Sequence, residues 1–302
     1  MTIAQRNMTA TEQSSEYAFS DADFSTIAEL ANRKYGLYLQ SSKKALVYSR
    51  LARRLRALHL TRFSDYCKLL DTPEGETEQS HLLSALTTNV THFFREKHHF
   101  DQLRKDILPG LMEKARHGGA VRLWSSACSA GQEAYCIAAM ILDGCKDART
   151  RDIKILATDV DPAIIEKARA GIYPDDQLDA IPAALHSLMV DRTGAPSGYF
   201  AMRSELRALI SFGQLNLIDA WPMKRQFDVI FCRNAAIYFD KQTQARLWAR
   251  FAETLVPDGY LMIGHSERIS GEASRVFRTA GVTTYQKTRA ADEHLKLTSK
   301  KE

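Results

Sequence analysis

The chain has 302 residues, 45% of them apolar, and a formal net charge of +5, enough for a full core and for two domains of roughly 100–200 residues each. No window reaches the ~18 uncharged apolar residues of a membrane span, and Met1 to Asn7 lacks the apolar centre of a signal peptide, so a cytoplasmic protein without membrane insertion is expected. The five cysteines, Cys67, Cys128, Cys136, Cys145 and Cys232, form no CxxC pair, which argues for buried thiols and against a disulfide framework or a metal site.

Residues 1–20 are polar and rich in Ser, Thr and Gln, the composition of a disordered tail. An all-helical domain is expected over 21–87. Asp21 to Tyr35 carries Phe24, Ile27, Leu30 and Ala31 at helical spacing, with Ser20 or Asp21 to cap it and Gly36 to stop it. A second helix, capped by Ser41 or Ser42, lines up Val47, Leu51, Leu55 and Leu58 as a core stripe and leaves Arg50, Arg53 and Arg54 available beside it. Shorter helices are expected at Phe63 to Leu70 and Glu78 to Thr87. From Leu30 to Ser64 there is no acid, while Arg33, Lys34, Lys43, Lys44, Arg50, Arg53, Arg54, Arg56 and Arg62 are all basic. Such a field attracts an acidic partner; without interleaved aromatics or a recognisable module, nucleic acid is not expected.

A second, α/β domain is expected over 88–288. Glu96 to His117 reads as one long amphipathic helix. Then Val121 to Ser125, the small-residue loop Ser126 to Gly131 with Ala127 in it, Gln132 to Leu142, and Ile153 to Thr158 closed by Asp159 read as strand, tight loop, helix, strand and terminal carboxylate. In a parallel sheet a ligand sits beyond the carboxyl ends of the strands, where small residues let backbone amides approach it and a carboxylate can accept from both ribose hydroxyls. The loop has one glycine, Gly131, and no G-x-G-x-x-G or Walker lysine; an adenosine-type cofactor without phosphates, S-adenosylmethionine above all, fits best. Helices follow at Pro162 to Ala170 and Lys241 to Leu255, and strands at Asp228 to Cys232, Tyr260 to Gly264 and Val282 to Gln286. Between them Leu185 to Val190, Gly198 to Arg203 and Ala208 to Phe212 suggest an inserted antiparallel meander at about 174–213. Residues 289–302 are charged and read as a loose tail. The whole is a doubly wound, Rossmann-like α/β domain with a small antiparallel β-subdomain, preceded by an all-α domain.

Three further segments fall where such a sheet presents side chains to a ligand: Thr87 to Arg95, a polar-aromatic run; Gln214 to Leu217; and Phe231 to Asp240, where a buried strand ends in Arg233-Asn234. Together with Lys44 to Arg56, the run Thr88-Asn89-Val90-Thr91-His92-Phe93-Phe94-Arg95, Cys232-Arg233-Asn234, Ile237-Tyr238-Phe239-Asp240 and Gly264-His265-Ser266-Glu267, they resemble the chemotaxis receptor glutamate O-methyltransferases, the CheR type, from about Phe24 to Tyr285. The resemblance implies methyl transfer from S-adenosylmethionine to receptor glutamates, leaving S-adenosylhomocysteine. It implies Asn89, Thr91 and Arg95 at the methionine end of the cofactor, Ala127 beside it, Glu133 at its amino group, Asp159 at the ribose, and Asn216 with Leu217 at the adenine. Arg233, Asn234 and Tyr238 would flank the methyl, Arg233 and Asn234 thereby joining the cofactor contacts. Arg233, Tyr238 and Arg95 form the expected catalytic set, Arg233 or Arg95 orienting the acceptor carboxylate and the Tyr238 hydroxyl guiding it by a hydrogen bond.

The implied partner is the cytoplasmic helical bundle of a chemoreceptor, docked through Arg50, Arg53 and Arg54, with a receptor C-terminal peptide at the β-subdomain as a further contact. The sequence departs from the family pattern at Gly131-Gln132-Glu133-Ala134-Tyr135-Cys136, and at Ala235-Ala236 where a Val-Met pair is usual; that loss of volume suggests a looser site. Two rivals stand beside this reading: a methyltransferase of the same fold with an RNA or small-molecule acceptor, and a cofactor-binding signalling adaptor with weak or no turnover.

Overall fold

The computed structural model describes residues 16–87, 89–145 and 147–289. The chain forms two compact units, Met1–Glu29 with Gln40–Leu86, and Leu30–Leu39 with Thr87–Glu302; the division falls inside the first helix, α1 (Asp21–Tyr35).

The first unit contains α2 (Lys44–Ala57), α3 (Phe63–Leu70) and α4 (Glu76–Leu86) beside the start of α1. Ser20 and Asp23 form a reciprocal cap on α1: Asp23 N donates to Ser20 Oγ at 3.1 Å and Ser20 N to the Asp23 carboxylate at 3.0 Å. Neither Ser41 nor Ser42 caps α2, because both belong to a 3₁₀ turn, Ser41–Lys43, that leads into it with Lys43 as cap residue. Ile27, Val47, Leu51, Leu55, Phe63 and Leu82 are buried together with Tyr66; Leu58, at the C-cap, ends the stripe. Of the tail expected to be loose, residues 1–15 lie outside the described residues, whereas Phe19 packs on Phe63 with ring centroids 4.2 Å apart.

The arginines expected to be available on α2 differ from one another. Arg54 grips the buried Glu78 through Nε at 2.9 Å and Nη2 at 2.6 Å, and the Tyr66 hydroxyl donates to the same carboxylate at 2.9 Å. Arg50 Nη1 donates to the Leu86 carbonyl at the end of α4, and Arg56 pairs with Glu16. Arg53 is exposed and has no ion pair among the described residues. The correction follows from helical geometry: the side of α2 that carries Arg50 and Arg54 is also the side turned toward α4.

The second unit opens with α5 (Lys97–Gln102), a π turn (Leu103–Ile107) and α6 (Leu108–Arg116) in place of one continuous helix. Pro109 in the first turn of α6 cannot donate to the carbonyl one turn earlier, which widens the helix there. The sheet strands are β1 (Val121–Ser125) and β2 (Ile153–Asp159), with α7 (Gln132–Gly144) between them and α8 (Pro162–Ala170) after. The insertion contains β3 (Ile172–Pro174), α9 (His186–Met189), β4 (Val190–Asp191), β5 (Tyr199–Met202) and α10 (Ser204–Arg207). Then come β6 (Ile210–Gln214), β7 (Phe227–Cys232), α11 (Lys241–Thr254), β8 (Leu255–Ile263), β9 (Phe277–Gly281) and β10 (Thr284–Lys287).

The large sheet runs β6-β2-β1-β7-β8-β10-β9, with parallel pairing from β6 to β8 and β10 antiparallel to both of its neighbours. Helices cover both faces: Leu123, Ile155 and Phe231 point to the α5–α7 side, and Trp124, Ile230 and Leu261 to the Trp248 and Phe251 side of α11. The small sheet is β3-β5-β4, antiparallel throughout. Two of the three expected meander strands are therefore corrected. Leu185 to Val190 is mostly helical, Ala208 to Phe212 contributes β6 to the large sheet, and the third strand of the small sheet is Ile172–Pro174. Val282 lies in the β9–β10 turn, where Thr283 has φ +50°, so β10 begins at Thr284. Among the described residues no helix is long and apolar enough to cross a membrane.

Candidate functional site

The strand order reverses between β1 and β7, the place where an open parallel sheet leaves a crevice beyond its carboxyl ends. There a cavity of about 400 Å³ is lined by the ends of β1, β2, β6 and β7 and by the Asn89–Arg95 run, a volume within the range of small-molecule sites. Asn89, Thr91, Arg95, Ala127, Glu133, Asp159, Asn216, Leu217, Arg233, Asn234 and Tyr238, the residues singled out from the sequence, all line it.

Local sequence explains the placement. After β1 the chain turns through Ser129 at φ +48° and Gly131 at φ +95°; a Cβ on Gly131 would stand 2.9 Å from Ala168 Cβ, so only glycine lets α7 start there. The loop is stitched to β2 by Cys128 N donating to the Thr158 carbonyl at 2.9 Å. Asp159, 8% exposed, accepts from Ser129 N at 2.8 Å and Asp161 N at 3.1 Å, one bond per oxygen. Each oxygen keeps a lone pair for a ribose hydroxyl. Burial pushes its pKa up, partly opposed by those amides. In the Asn89 run, Phe93 and Phe94 sink into the core and Phe94 N donates to Cys136 Sγ, which leaves Thr91 and Arg95 on the cavity.

Arg233 and Arg95 have different surroundings. Arg233 is buried; its Nη1 donates to Glu133 Oε2 at 2.9 Å, its Nε to Glu96 Oε2 at 3.4 Å and its Nη2 to the Arg95 carbonyl. Ser125 Oγ donates to the other oxygen of Glu133 at 2.6 Å. Arg95 donates Nη1 to the Val90 carbonyl at 2.9 Å and has no ion pair among the described residues. The Tyr238 hydroxyl has no hydrogen-bond partner there either. Among the described residues, Arg95 is thus a cavity-lining guanidinium without an ion pair, and Tyr238 offers a hydroxyl without a hydrogen-bond partner. Asn216 holds its own turn, donating to the Lys34 carbonyl at 2.8 Å and accepting from Ile218 N at 3.3 Å, so its side chain serves the wall of the cavity.

Several residues of the site escaped the sequence reading. Tyr35, expected only as the end of a helix, and Leu37, just beyond the Gly36 stop, line the cavity. Glu96, read as a helix start, has φ +56° and is shared by Arg233 and His265. Burial opposes its ionisation, yet Arg233 and the His265 hydrogen bonds hold its pKa below the usual carboxylate range. Glu96, His98 and His99 bring ligand-type atoms within 4.8 Å of one another, but the Glu96 carboxylate is already paired with the Arg233 guanidinium, which repels a second cation. The Cys128 and Cys232 thiols, buried and beside carboxylates, have pKa values pushed well up and are poor nucleophiles. Gln132, Ala134, Cys136 and Ala236 are buried away from the cavity, and in the two segments that depart from the family pattern Ala235 is the differing residue that lines it.

The donor set fits S-adenosylmethionine: two carboxylates for ribose and ammonium, a small-residue loop, and a cavity without a phosphate-gripping lysine or glycine fingerprint. Comparison with known proteins agrees. The profile described as "CheR methyltransferase, SAM binding domain" matches residues 89–286, and that described as "CheR methyltransferase, all-alpha domain" matches residues 22–87. A Rhizobium etli protein described as "Probable chemotaxis protein methyltransferase" is 46% identical over 84% of this chain and 95% of its own. The "Chemotaxis protein methyltransferase 2" of Pseudomonas aeruginosa is 41% identical over 89% and 94%, and the "Chemotaxis protein methyltransferase" of Escherichia coli 41% over 89% and 91%.

Proposed function

We infer that this chain, which belongs to the CheR methyltransferase family, transfers the methyl group of S-adenosylmethionine to glutamate side chains of chemoreceptors, giving glutamate methyl esters and S-adenosylhomocysteine. The observation that carries this reading is one cavity holding Asp159 and Glu133, suited to a ribose and an ammonium, together with an Arg95 and a Tyr238 hydroxyl that have no ion pair and no hydrogen-bond partner, respectively, among the described residues, suited to an incoming carboxylate.

The bound cofactor supplies a methyl group already activated on a sulfonium. A glutamate carboxyl, with an ordinary pKa near 4.3, is already anionic at neutral pH, so the chain needs no general base. Its residues have to hold the acceptor oxygen in line with the methyl at roughly 3–3.5 Å and keep water out, an orientation effect of about 7–11 kcal/mol in the best cases. Arg95 orients the carboxylate by a solvent-weakened contact and Tyr238 guides it by donating a hydrogen bond. A strong, dry ion pair would stabilise the anion before attack and slow it. Arg233, engaged with Glu133, Glu96 and the Arg95 carbonyl, fixes the orientation of Glu133; of the two arginines expected to orient the acceptor, that leaves Arg95.

On this reading the chain acts in the cytoplasm on the helical bundle of the receptor, and a receptor C-terminal peptide would add to the small sheet, whose exposed Ile172 and Tyr199 support such a contact. Release of S-adenosylhomocysteine, followed with receptor cytoplasmic fragments and with RNA as alternative acceptors, tests the reading. Stimulation by the fragments alone is expected; stimulation by RNA, or by neither with the cofactor bound, would favour the two rivals.

A further inference from the structure

The turn that carries Asn234 and Tyr238 to the cavity is built around a carboxylate that does not itself line it. Glu267 is 3% exposed, and its oxygens accept four backbone N–H groups: Gly264 at 2.6 Å, Asn234 at 3.1 Å, Ala235 at 3.1 Å and Ile237 at 3.3 Å. No Lys, Arg or His side chain pairs with it among the described residues. Its charge is met by amides, in the manner of the anion-binding nests that successive N–H groups form, with an internal side chain as the anion. Asn234 has φ +57°, in the left-handed region that asparagine enters more readily than most non-glycine residues. Gly264 closes the mould: a Cβ there would stand 2.7 Å from Asn234 Nδ2, 2.8 Å from Asn234 N and 2.9 Å from Glu267 Oε2.

We propose that Glu267 is a positioning residue for methyl transfer, its carboxylate setting the 234–237 turn so that Asn234, Ala235 and Tyr238 meet the acceptor at the required distance. This rests on the methyltransferase reading above. The cofactor anchors Asp159 and Glu133 stand on β2 and α7, outside the turn, so the role separates turnover from cofactor binding. A displacement of about 1 Å at the reacting centre costs on the order of 100-fold in rate.

The test compares Glu267→Gln, which keeps the shape but aims an amide donor at backbone donors, with Glu267→Asp, whose carboxylate is retained on a shorter arm, and Gly264→Ala, which keeps Glu267 and crowds Asn234. Glu267→Gln and Gly264→Ala are expected to lower kcat roughly 10- to 100-fold, with receptor KM and the dissociation constant for S-adenosylhomocysteine each within about threefold, and Glu267→Asp to recover part of the loss. Independently of turnover, hydrogen–deuterium exchange of the Asn234–Ile237 amides is expected to rise in Glu267→Gln while α7 stays protected. Unchanged exchange of those amides, or a folded Glu267→Gln with wild-type kcat, overturns the proposal. So does a cofactor affinity that falls in step with kcat, which would make Glu267 a support of the whole site. Wild-type protein that methylates no receptor would instead overturn the underlying reading, and the exchange experiment would still report on the turn.

Discussion

Arg233 donates to Glu133, Nη1 to Oε2 at 2.9 Å, with both side chains buried beside the cavity. A guanidinium so held orients a carboxylate well and is poorly placed to greet a second one. The division of labour between Arg233 and Arg95 follows, and with it opposite mutant signatures. Arg233→Ala leaves the carboxylates of Glu133 and Glu96 uncompensated, at a cost of about 3–5 kcal/mol and a fall in Tm of roughly 10 °C. Arg95→Ala should leave Tm within about 2 °C and lower kcat/KM for receptor by 10-fold or more, on the order of the ~1.5–3 kcal/mol of a charged hydrogen bond. Thermal melts and receptor kinetics on the two proteins check this; equal melting losses would remove the distinction.

Asp159 is expected to grip the ribose with the lone pairs its two backbone donors leave free. Asp159→Asn should weaken S-adenosylhomocysteine binding roughly 10- to 150-fold, the equivalent of ~1.5–3 kcal/mol. Calorimetric titration gives the number directly, and wild-type affinity would take the ribose away from this residue.

Receptor docking can be separated from folding on α2. Arg53→Glu, at an exposed position, should raise receptor KM several-fold at low salt, the difference shrinking as ionic strength rises, with cofactor affinity unchanged. Arg54→Ala strips the buried Glu78 of its partner and should cost about 3 kcal/mol of stability in the first unit. A combined reversal of Arg50, Arg53 and Arg54 would confuse the two effects. Salt-insensitive, wild-type kinetics in Arg53→Glu would rule that residue out of the docking face.

His99 is fully buried, next to Glu96, His98 and Arg233, and burial lowers its pKa from 6.5 to about 3. The unfolded chain therefore takes up this proton first as pH falls. The stability tied to the neutral ring is complete above about pH 6.5 and is lost progressively from there toward pH 3. Between pH 6.5 and 4.5 the loss is on the order of 2–3 kcal/mol. His99→Gln should be less stable at pH 7 and show a flatter fall of Tm across that window; parallel Tm–pH profiles would contradict the assignment.

Much of this was legible in the sequence because it depends on spacing. The βαβ pattern from Val121 to Asp159 and the Arg233-Asn234 strand end place side chains by periodicity alone, α1 and α8 follow their apolar stripes, caps and glycine stops, and α3 follows its apolar stripe. What the sequence hid depends on partners distant along the chain. Nothing near Arg54 reveals that Glu78 lies opposite it, and nothing near Arg233 reveals that Glu133 and Glu96 occupy its fork. Short strands such as Val190–Asp191 leave too little alternation to be told from a helical turn, and Ile210–Gln214 could be assigned to the large sheet only once β2 was seen beside it.

The central claim is that this cavity esterifies receptor glutamates, and the most direct measurement is transfer of labelled methyl from S-adenosylmethionine to receptor cytoplasmic fragments by the 302-residue chain, with the modified residues mapped by mass spectrometry. The account predicts label on glutamate side chains that leaves as methanol in mild alkali and is reduced in Arg95→Ala. Label that resists alkali, label on another acceptor, or bound cofactor with no labelled receptor would contradict it.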